Sequence, residues 1–207
     1  MQIQIRFIPE QTAYLGPELR PHFLLEKWKI RGSALAAFVG PCEVKTGDLV
    51  DWEDRLENDF IRAKLMVHFL GEFFGISLSE GVLYQRLFMA TAGAEISRAT
   101  GKPVSRDGDD LFWFDGKDPR KLSVSIVTAS PVSVLLHAGI NLDAAGAPVK
   151  AAGLFDLGMR GLNPSDSTAP SSAESEPITA LVMRILELFQ AEVASIEWAC
   201  AKVRPVV

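Results

Sequence analysis

Residues 109–143 read DDLFWFDGKDPRKLSVSIVTASPVSVLLHAGINLD. The run predicts three consecutive strands joined by two turns, the second turn holding Ser130-Pro131. In the strand from Lys121, Lys121, Ser123 and Ser125 share one face and Leu122, Val124 and Ile126 the other. In the next strand Ser133, His137, Gly139 and Asn141 oppose Val134, Leu136, Ala138 and Ile140. A one-residue change in register reverses every side chain. An odd-length loop avoids burying polar against apolar residues, so it is the expected arrangement. It brings Ser123 and His137 onto one face.

That face is a floor of small residues with room for a flat ligand. Lys121 offers a point charge for a carboxylate or phosphate. Asn141 offers a donor and an acceptor. His137 can move protons near neutral pH. Lys121 and His137 are therefore the candidate catalytic residues, with Ser123, Ser125, Gly139 and Asn141 as candidate ligand contacts. The plainer reading makes Lys121 a solvated residue at a strand start and His137 a core imidazole satisfied by a backbone carbonyl.

Working outward, residues 1–9 alternate polar and apolar side chains, a strand pattern. His22 to Ile30 and Ala34 to Val39 are strand candidates, the second ending at Gly40-Pro41, since a residue before proline is pushed towards extended backbone. Asp59 to Phe74 places Ile61, Leu65, Phe69 and Phe73 at helical spacing. A second helix is expected from an N-cap at Ser79 to Gly101. Leu154 to Leu157 suits one more short strand. Residues 163–176 are Ser/Pro-rich and too polar to fold alone, which predicts a flexible linker. Residues 177–202 carry Ile178, Leu181, Val182, Ile185, Phe189, Val193 and Ile196 in an amphipathic helix that must cover something apolar, most simply the sheet. The expected architecture is α+β: one domain over residues 1–207, with a mostly antiparallel central sheet and helices packed on it.

Composition narrows the function. With 207 residues, 48% hydrophobic and 23% charged, the chain can bury a core without disulfides or metals. A net charge of −5 argues against nucleic acid as a partner. No apolar run approaches a membrane span and no targeting segment is visible, so a cytoplasmic protein is expected. Cys42 and Cys200 have no metal-type spacing. They read as thiols in a reducing compartment, with a disulfide as the alternative.

Other residues carry weaker signals. His68 and Glu72, four apart on the expected helix, have a spacing that can hold a metal, but further ligands are scarce and no metal is expected. Asp51, Glu53 and Asp54 could carry magnesium beside a phosphate; a solvated acidic loop capping a helix is the plainer reading. Arg86 on the second helix, and Arg20 and His22 in R-P-H, are candidate anion contacts, because guanidinium matches carboxylate bidentately. There is no G-x-G-x-x-G and no phosphate loop of the Walker type.

The pattern D-D-L-F-W-F-D-G, K-L-S-V-S-I, H-A-G-I-N-L-D resembles the central sheet of biotin and lipoate protein ligases, which share the class II aminoacyl-tRNA-synthetase-like fold. W-K-I-R-G-S-A-L-A-A-F-V-G resembles their paired early strands. The resemblance puts Lys121 where those enzymes keep the lysine that contacts the carboxylate and acyl-adenylate, with Asp110 near their acidic strand start. The chain departs from them in three ways. Lys117 to Arg120 lengthens the turn, Val124 stands where glycine is expected, and the Gly/Arg-rich adenylate loop has no counterpart. More of the chain, through L-R-P-H-F, A-F-V-G-P-C-E-V, L-V-D-W-E-D, M-V-H-F-L-G-E-F-F, Y-Q-R-L-F and the run from Lys121 to Asn141, resembles domain-of-unknown-function family 366. These resemblances imply a ligase-like fold, and the family 366 resemblance lends no known activity; the small-residue face with Lys121, without an adenylate loop, suggests a protein that binds a small carboxylate or nucleotide without adenylating it. One alternative is a diverged ligase or acyltransferase, the only case that calls for ATP and magnesium. The other is an interaction module that forms a homodimer.

Overall fold

Runs of β-branched, aromatic and small residues build a five-stranded sheet in the order β1-β2-β3-β8-β7. The computed structural model describes residues 2–161 and 177–206; the expected linker at 163–176 lies outside them. The strands are β1 (Gln4–Ile8), β2 (Ala34–Val44), β3 (Ile61–Phe73), β7 (Ser123–Ala129) and β8 (Val134–Asp143). β1 runs parallel to β2, and every other pairing is antiparallel. A second, three-stranded antiparallel sheet holds β4 (Val104–Asp107), β5 (Asp110–Phe114) and β6 (Pro119–Lys121). The helices are α1 (Phe23–Trp28), α2 (Trp52–Leu56), α3 (Leu78–Thr100) and α4 (Ile178–Ala201). The α+β class and mostly antiparallel sheet are as expected.

Strand periodicity sorts the core into two layers. Leu35, Ala37, Val67, Phe69, Phe73, Leu136, Ala138 and Ile140 face α3 and α4, meeting Phe88, Met89 and Ile96 from one helix and Leu181, Ile185 and Phe189 from the other. Each large side chain so buried stabilises the fold by about 1.5–3 kcal/mol. The opposite face carries Ala34, Ala36, Phe38, Met66, Leu70 and Leu135, covered by Tyr14, Leu19, Leu24 and Leu49 from the connections. That second face holds the cavity described below.

Four expectations about elements are corrected. The helix expected over 59–74 is instead the strand β3, Ile61–Phe73. Leu65, Phe69 and Phe73 are four apart, and four is also an even number, so this spacing suits one side of a strand as well; a register shift between Leu65 and Met66 turns Ile61 to the opposite face. Residues 66–73 are buried throughout, which removes the alternation that marks a half-exposed strand. Residues 22–30 contain the helix α1, not a strand. Its start is held from a distance: the His22 N–H donates to Glu72 Oε1 at 2.9 Å and Oε2 at 3.1 Å. β2 continues through Gly40-Pro41 because the register shifts between Gly40 and Cys42, a bulge that tolerates proline. Residues 154–157 are turns, not a strand. α3 and α4 match their predicted spans closely, although α3 is capped by Ser77, whose hydroxyl accepts from the Glu80 N–H while Glu80 accepts from the Ser77 N–H.

Candidate functional site

The β7–β8 loop decides which side chains meet. It spans Ser130 to Ser133 and is closed by a Ser130 N–H to Ser133 carbonyl bond of 2.8 Å. Four is an even number, so Ser123 pairs with Ile140 and Ile126 with His137. The expected odd-length loop is thereby overturned: Ser123 and Ser125 face α3, away from His137. Hydrogen bonds remove the cost that argued against this. Ser123 Oγ accepts the Leu111 N–H at 2.8 Å. Ser125 Oγ accepts from Gln85 Nε2 at 2.8 Å and donates to the Asp109 carbonyl at 3.1 Å. Satisfied hydroxyls are cheap to bury.

On the other face, His137, Gly139 and Asn141 of β8 lie beside Val124 and Ile126 of β7. A cavity of about 270 Å³ opens above them and reaches round the β7 edge. Tyr14, Met66, Lys121, Ser123, Ser125, His137 and Asn141 line it, with Asp48, Asp51, Asp54, Asp59, Asp109, Asp110 and Arg62 around them. Lys121 comes from the end of β6 and Asp110 from the start of β5. Lys121 Nζ lies 2.8 Å from Asp110 Oδ2. Burial raises the Asp110 pKa above the ordinary carboxylate value, and the Lys121 ammonium works in the opposite direction.

His137 is not poised to move protons at neutral pH. It is 2% exposed, stacked on Tyr14 with ring centres 3.7 Å apart. Burial, then the neighbouring His68, holds its pKa well below the usual imidazole value. His68 Nδ1 lies 3.1 Å from His137 Nε2, and His68 Nε2 lies 3.2 Å from the Gly40 carbonyl. Burial lowers the His68 pKa to about 3. Both rings are neutral, so the catalytic part expected for His137 becomes that of a fixed hydrogen-bonding group.

The remaining candidates divide. Gly139 belongs to the floor, because a Cβ there would overlap Met66 Sδ. Arg86 Nη1 lies 3.1 Å from Asp109 Oδ1; the pair is ionic, since Nη1 finds no acceptor at hydrogen-bond angles. Asp109 also receives Gln85 Nε2 at 2.9 Å, so Arg86 supports the cavity wall from behind. Arg20 pairs with Glu26 at 2.6 Å, and His22 is held by its backbone to Glu72. Neither lines the cavity. Glu72 also accepts from Ser133 Oγ at 2.8 Å, so it and His68 serve separate networks. Among the described residues no group of three or more metal-ligating side chains could hold a metal ion. Cys42 is buried and Cys200 exposed, both free, which removes the disulfide alternative. No helix among the described residues is long and apolar enough to cross a membrane.

Sequence reasoning missed Tyr14, Arg62 and Asp59. Asp59 reads in the sequence as the first residue of the expected helix. Tyr14 arrives through an isolated parallel bridge with Cys42, which no local pattern announces.

The described fold and cavity can be set beside known proteins. The family model for a domain of unknown function, DUF366, matches residues 3–204. The chain belongs to the DUF366 family. A protein of Methanocaldococcus jannaschii described as uncharacterized is 33% identical over 167 residues, covering 78% of this chain and 73% of its own. A solved protein of unknown function from Pyrococcus horikoshi superposes with a TM-score of 0.82 at 31% identity, covering 99% of this DUF366 chain and 100% of that one. Biotin protein ligase from Aquifex aeolicus in complex with biotin and ATP gives 0.51 at 12% identity, covering 91% and 69%. A bi-partite lipoate protein ligase from Thermoplasma acidophilum gives 0.52 at 10%, covering 90% and 84%. At those identities the ligases share the fold alone, and this DUF366 chain has a biotin/lipoate-ligase-like fold.

Proposed function

We propose that this DUF366 protein binds a small organic ligand bearing a carboxylate or a nucleotide phosphate in the cavity over β7 and β8. The observation that carries the reading is Lys121. It lines a cavity of about 270 Å³ and is held there by an acidic partner whose charge burial already disfavours. A ligand anion can take the place of Asp110, which is more easily protonated than an ordinary aspartate, and the ammonium then faces the new charge without reorganising. Asn141 and the Tyr14–His137 stack form the floor against which a flat or apolar part of the ligand packs. The ligases of like fold, solved with biotin and ATP or named for lipoate, are consistent with a pocket of this kind.

The test is thermal unfolding of wild type and Lys121→Ala with magnesium-ATP plus biotin, lipoate or octanoate. A ligand at a hundred times its Kd adds about 2.7 kcal/mol of stability, a midpoint rise of a few degrees. A rise in wild type that disappears in Lys121→Ala supports the reading. A rise that Lys121→Ala retains removes Lys121 from it.

A second reading, a diverged ligase that activates a carboxylic acid, draws on the ligase-like fold together with Lys121. The preorganised ammonium would stabilise charge developing on a mixed anhydride. Carboxylate-dependent pyrophosphate exchange is its signature, and its absence across a broad panel of acids removes it.

A further inference from the structure

The hydrogen-bonding parity of the cavity floor says more about the ligand than its volume does. The Gly40 carbonyl can only accept, so the proton of neutral His68 resides on Nε2. His68 Nδ1 is then a bare acceptor. His137 Nε2 must carry a hydrogen to donate to it across 3.1 Å. His137 Nδ1 is left as a lone pair with no protein donor among the described residues.

Asn141 repeats the pattern. Its side-chain nitrogen faces two carbonyls, Lys121 O at 3.3 Å and Ala152 O at 3.2 Å, which fixes the NH2 end. Its Oδ1 has no protein donor among the described residues. His137 and Asn141 are 2% and 6% exposed, share one face of β8, and both line the cavity. Two deeply buried side chains thus offer the site acceptors.

Charge points the same way. The two cations of the lining are already paired, Lys121 with Asp110 at 2.8 Å and Arg62 with Glu43 at 2.8 Å. Asp48, Asp54 and Asp59 also line the cavity, and among the described residues none of them has a cation at ion-pair distance. Burial, then repulsion from Asp51 and Asp59, raises the Asp54 pKa, and the Lys121 ammonium offsets only part of it. The side-chain donors left to a ligand are the remaining hydrogens of the Asp110-paired Lys121 ammonium and the Tyr14 hydroxyl.

We infer that the ligand of this cavity carries a protonated amino group, received by the cavity-facing acceptors of His137 and Asn141 and by Asp54 and Asp59, neither of which has a cation at ion-pair distance among the described residues. Its acidic group goes to Lys121. This rests on the cavity being the ligand site and narrows that reading to an amino-bearing acid. An amine meets every unmatched acceptor and neutralises charge in a partly enclosed space, where a close pair is strong. A ligand without one seals those acceptors from solvent with no partner, which is costly.

The test uses three probes of one length, pentanoate, pentylamine and 5-aminopentanoate, titrated into isotope-labelled full-length protein. The readouts are the His137 ring nitrogens and the Asn141 carboxamide by NMR. Pentylamine and 5-aminopentanoate are expected to shift both, with 5-aminopentanoate binding about tenfold tighter than pentanoate. Asp54→Asn and Asp59→Asn should each weaken the amines severalfold without weakening pentanoate. Pentanoate binding while neither amine binds overturns the inference and leaves the cavity as a site. Silence from all three probes overturns the cavity reading, and the inference with it. Without any ligand, His137 should show hydrogen on Nε2 and a bare Nδ1; the opposite tautomer overturns the inference directly.

Discussion

His68 and His137 reach across β3 and β8 to share one hydrogen between two buried, uncharged rings, 3.1 Å from nitrogen to nitrogen. Tyr14 lies parallel to the second ring, and Phe38 stacks on the first with centres 4.9 Å apart. The pair sits at the back of the cavity and depends on staying neutral.

That dependence sets a pH profile. An unfolded histidine titrates near about 6.5, whereas burial holds folded His68 to about 3 and His137 well below its ordinary value. The unfolded chain therefore binds protons that the folded one refuses. The stability contributed by neutral burial is complete above about pH 6.5 and is lost as the pH falls towards the folded values, at about 1.4 kcal/mol per pH unit for each proton. Urea midpoints at neutral and mildly acidic pH should show the loss. An unchanged slope in His68→Gln would exclude the pair as its source.

Asp110→Asn removes the carboxylate that competes with a ligand anion for Lys121. Anionic ligands should bind several-fold tighter to this variant than to wild type, measured calorimetrically. Both partners keep about a third of their side-chain surface exposed, so the stability cost should stay near ~1 kcal/mol. Weaker binding would mean that Asp110 itself contacts the ligand.

Gly139→Ala places a methyl group where Met66 Sδ lies. Overpacking of this kind costs about 1–3 kcal/mol. Because Met66 lines the cavity, its displaced side chain should also shrink the site. The double variant Gly139→Ala, Met66→Ala should recover ligand affinity; affinity that stays lost would point to backbone movement in β8.

Glu72→Ala should be among the most damaging single changes on this face. It strips the partner from the His22 N–H and from Ser133 Oγ at a site 4% exposed. Leaving buried donors without an acceptor costs about 1–3 kcal/mol each. Glu72→Gln keeps one acceptor oxygen and should lose less. Circular dichroism of the two variants beside wild type would show whether α1 is the part that frays.

Much of this was readable in the chain. The small and polar residues of β7 and β8 marked the right strands, and Lys121, Ser123, Ser125, His137 and Asn141 do line one cavity. What escaped was arithmetic rather than composition. Leu65, Phe69 and Phe73 satisfy helix and strand equally well. The parity of the Ser130–Ser133 loop was settled by Gln85, Asp109 and Leu111, which sit far from Ser123 or Ser125 in sequence or belong to another strand. α1 owes its start to a carboxylate on β3, and no local pattern can show a cap supplied from fifty residues away.

β1 is held on one side by its parallel pairing with β2, while α4 lies against it, with Gln190 Nε2 donating to the Ile3 carbonyl at 2.6 Å. Ile3 shares a core with Ile178, Leu181 and Phe189. The apolar side of β1 is thus covered only once α4, distant in sequence, has docked on it. Without α4 the α3 side of the sheet has a gap the width of a helix, so a chain lacking that helix presents an open, sticky surface. The last layer of this fold therefore closes only when two segments far apart in sequence meet, and loss of α4 alone would lay the shared apolar face bare.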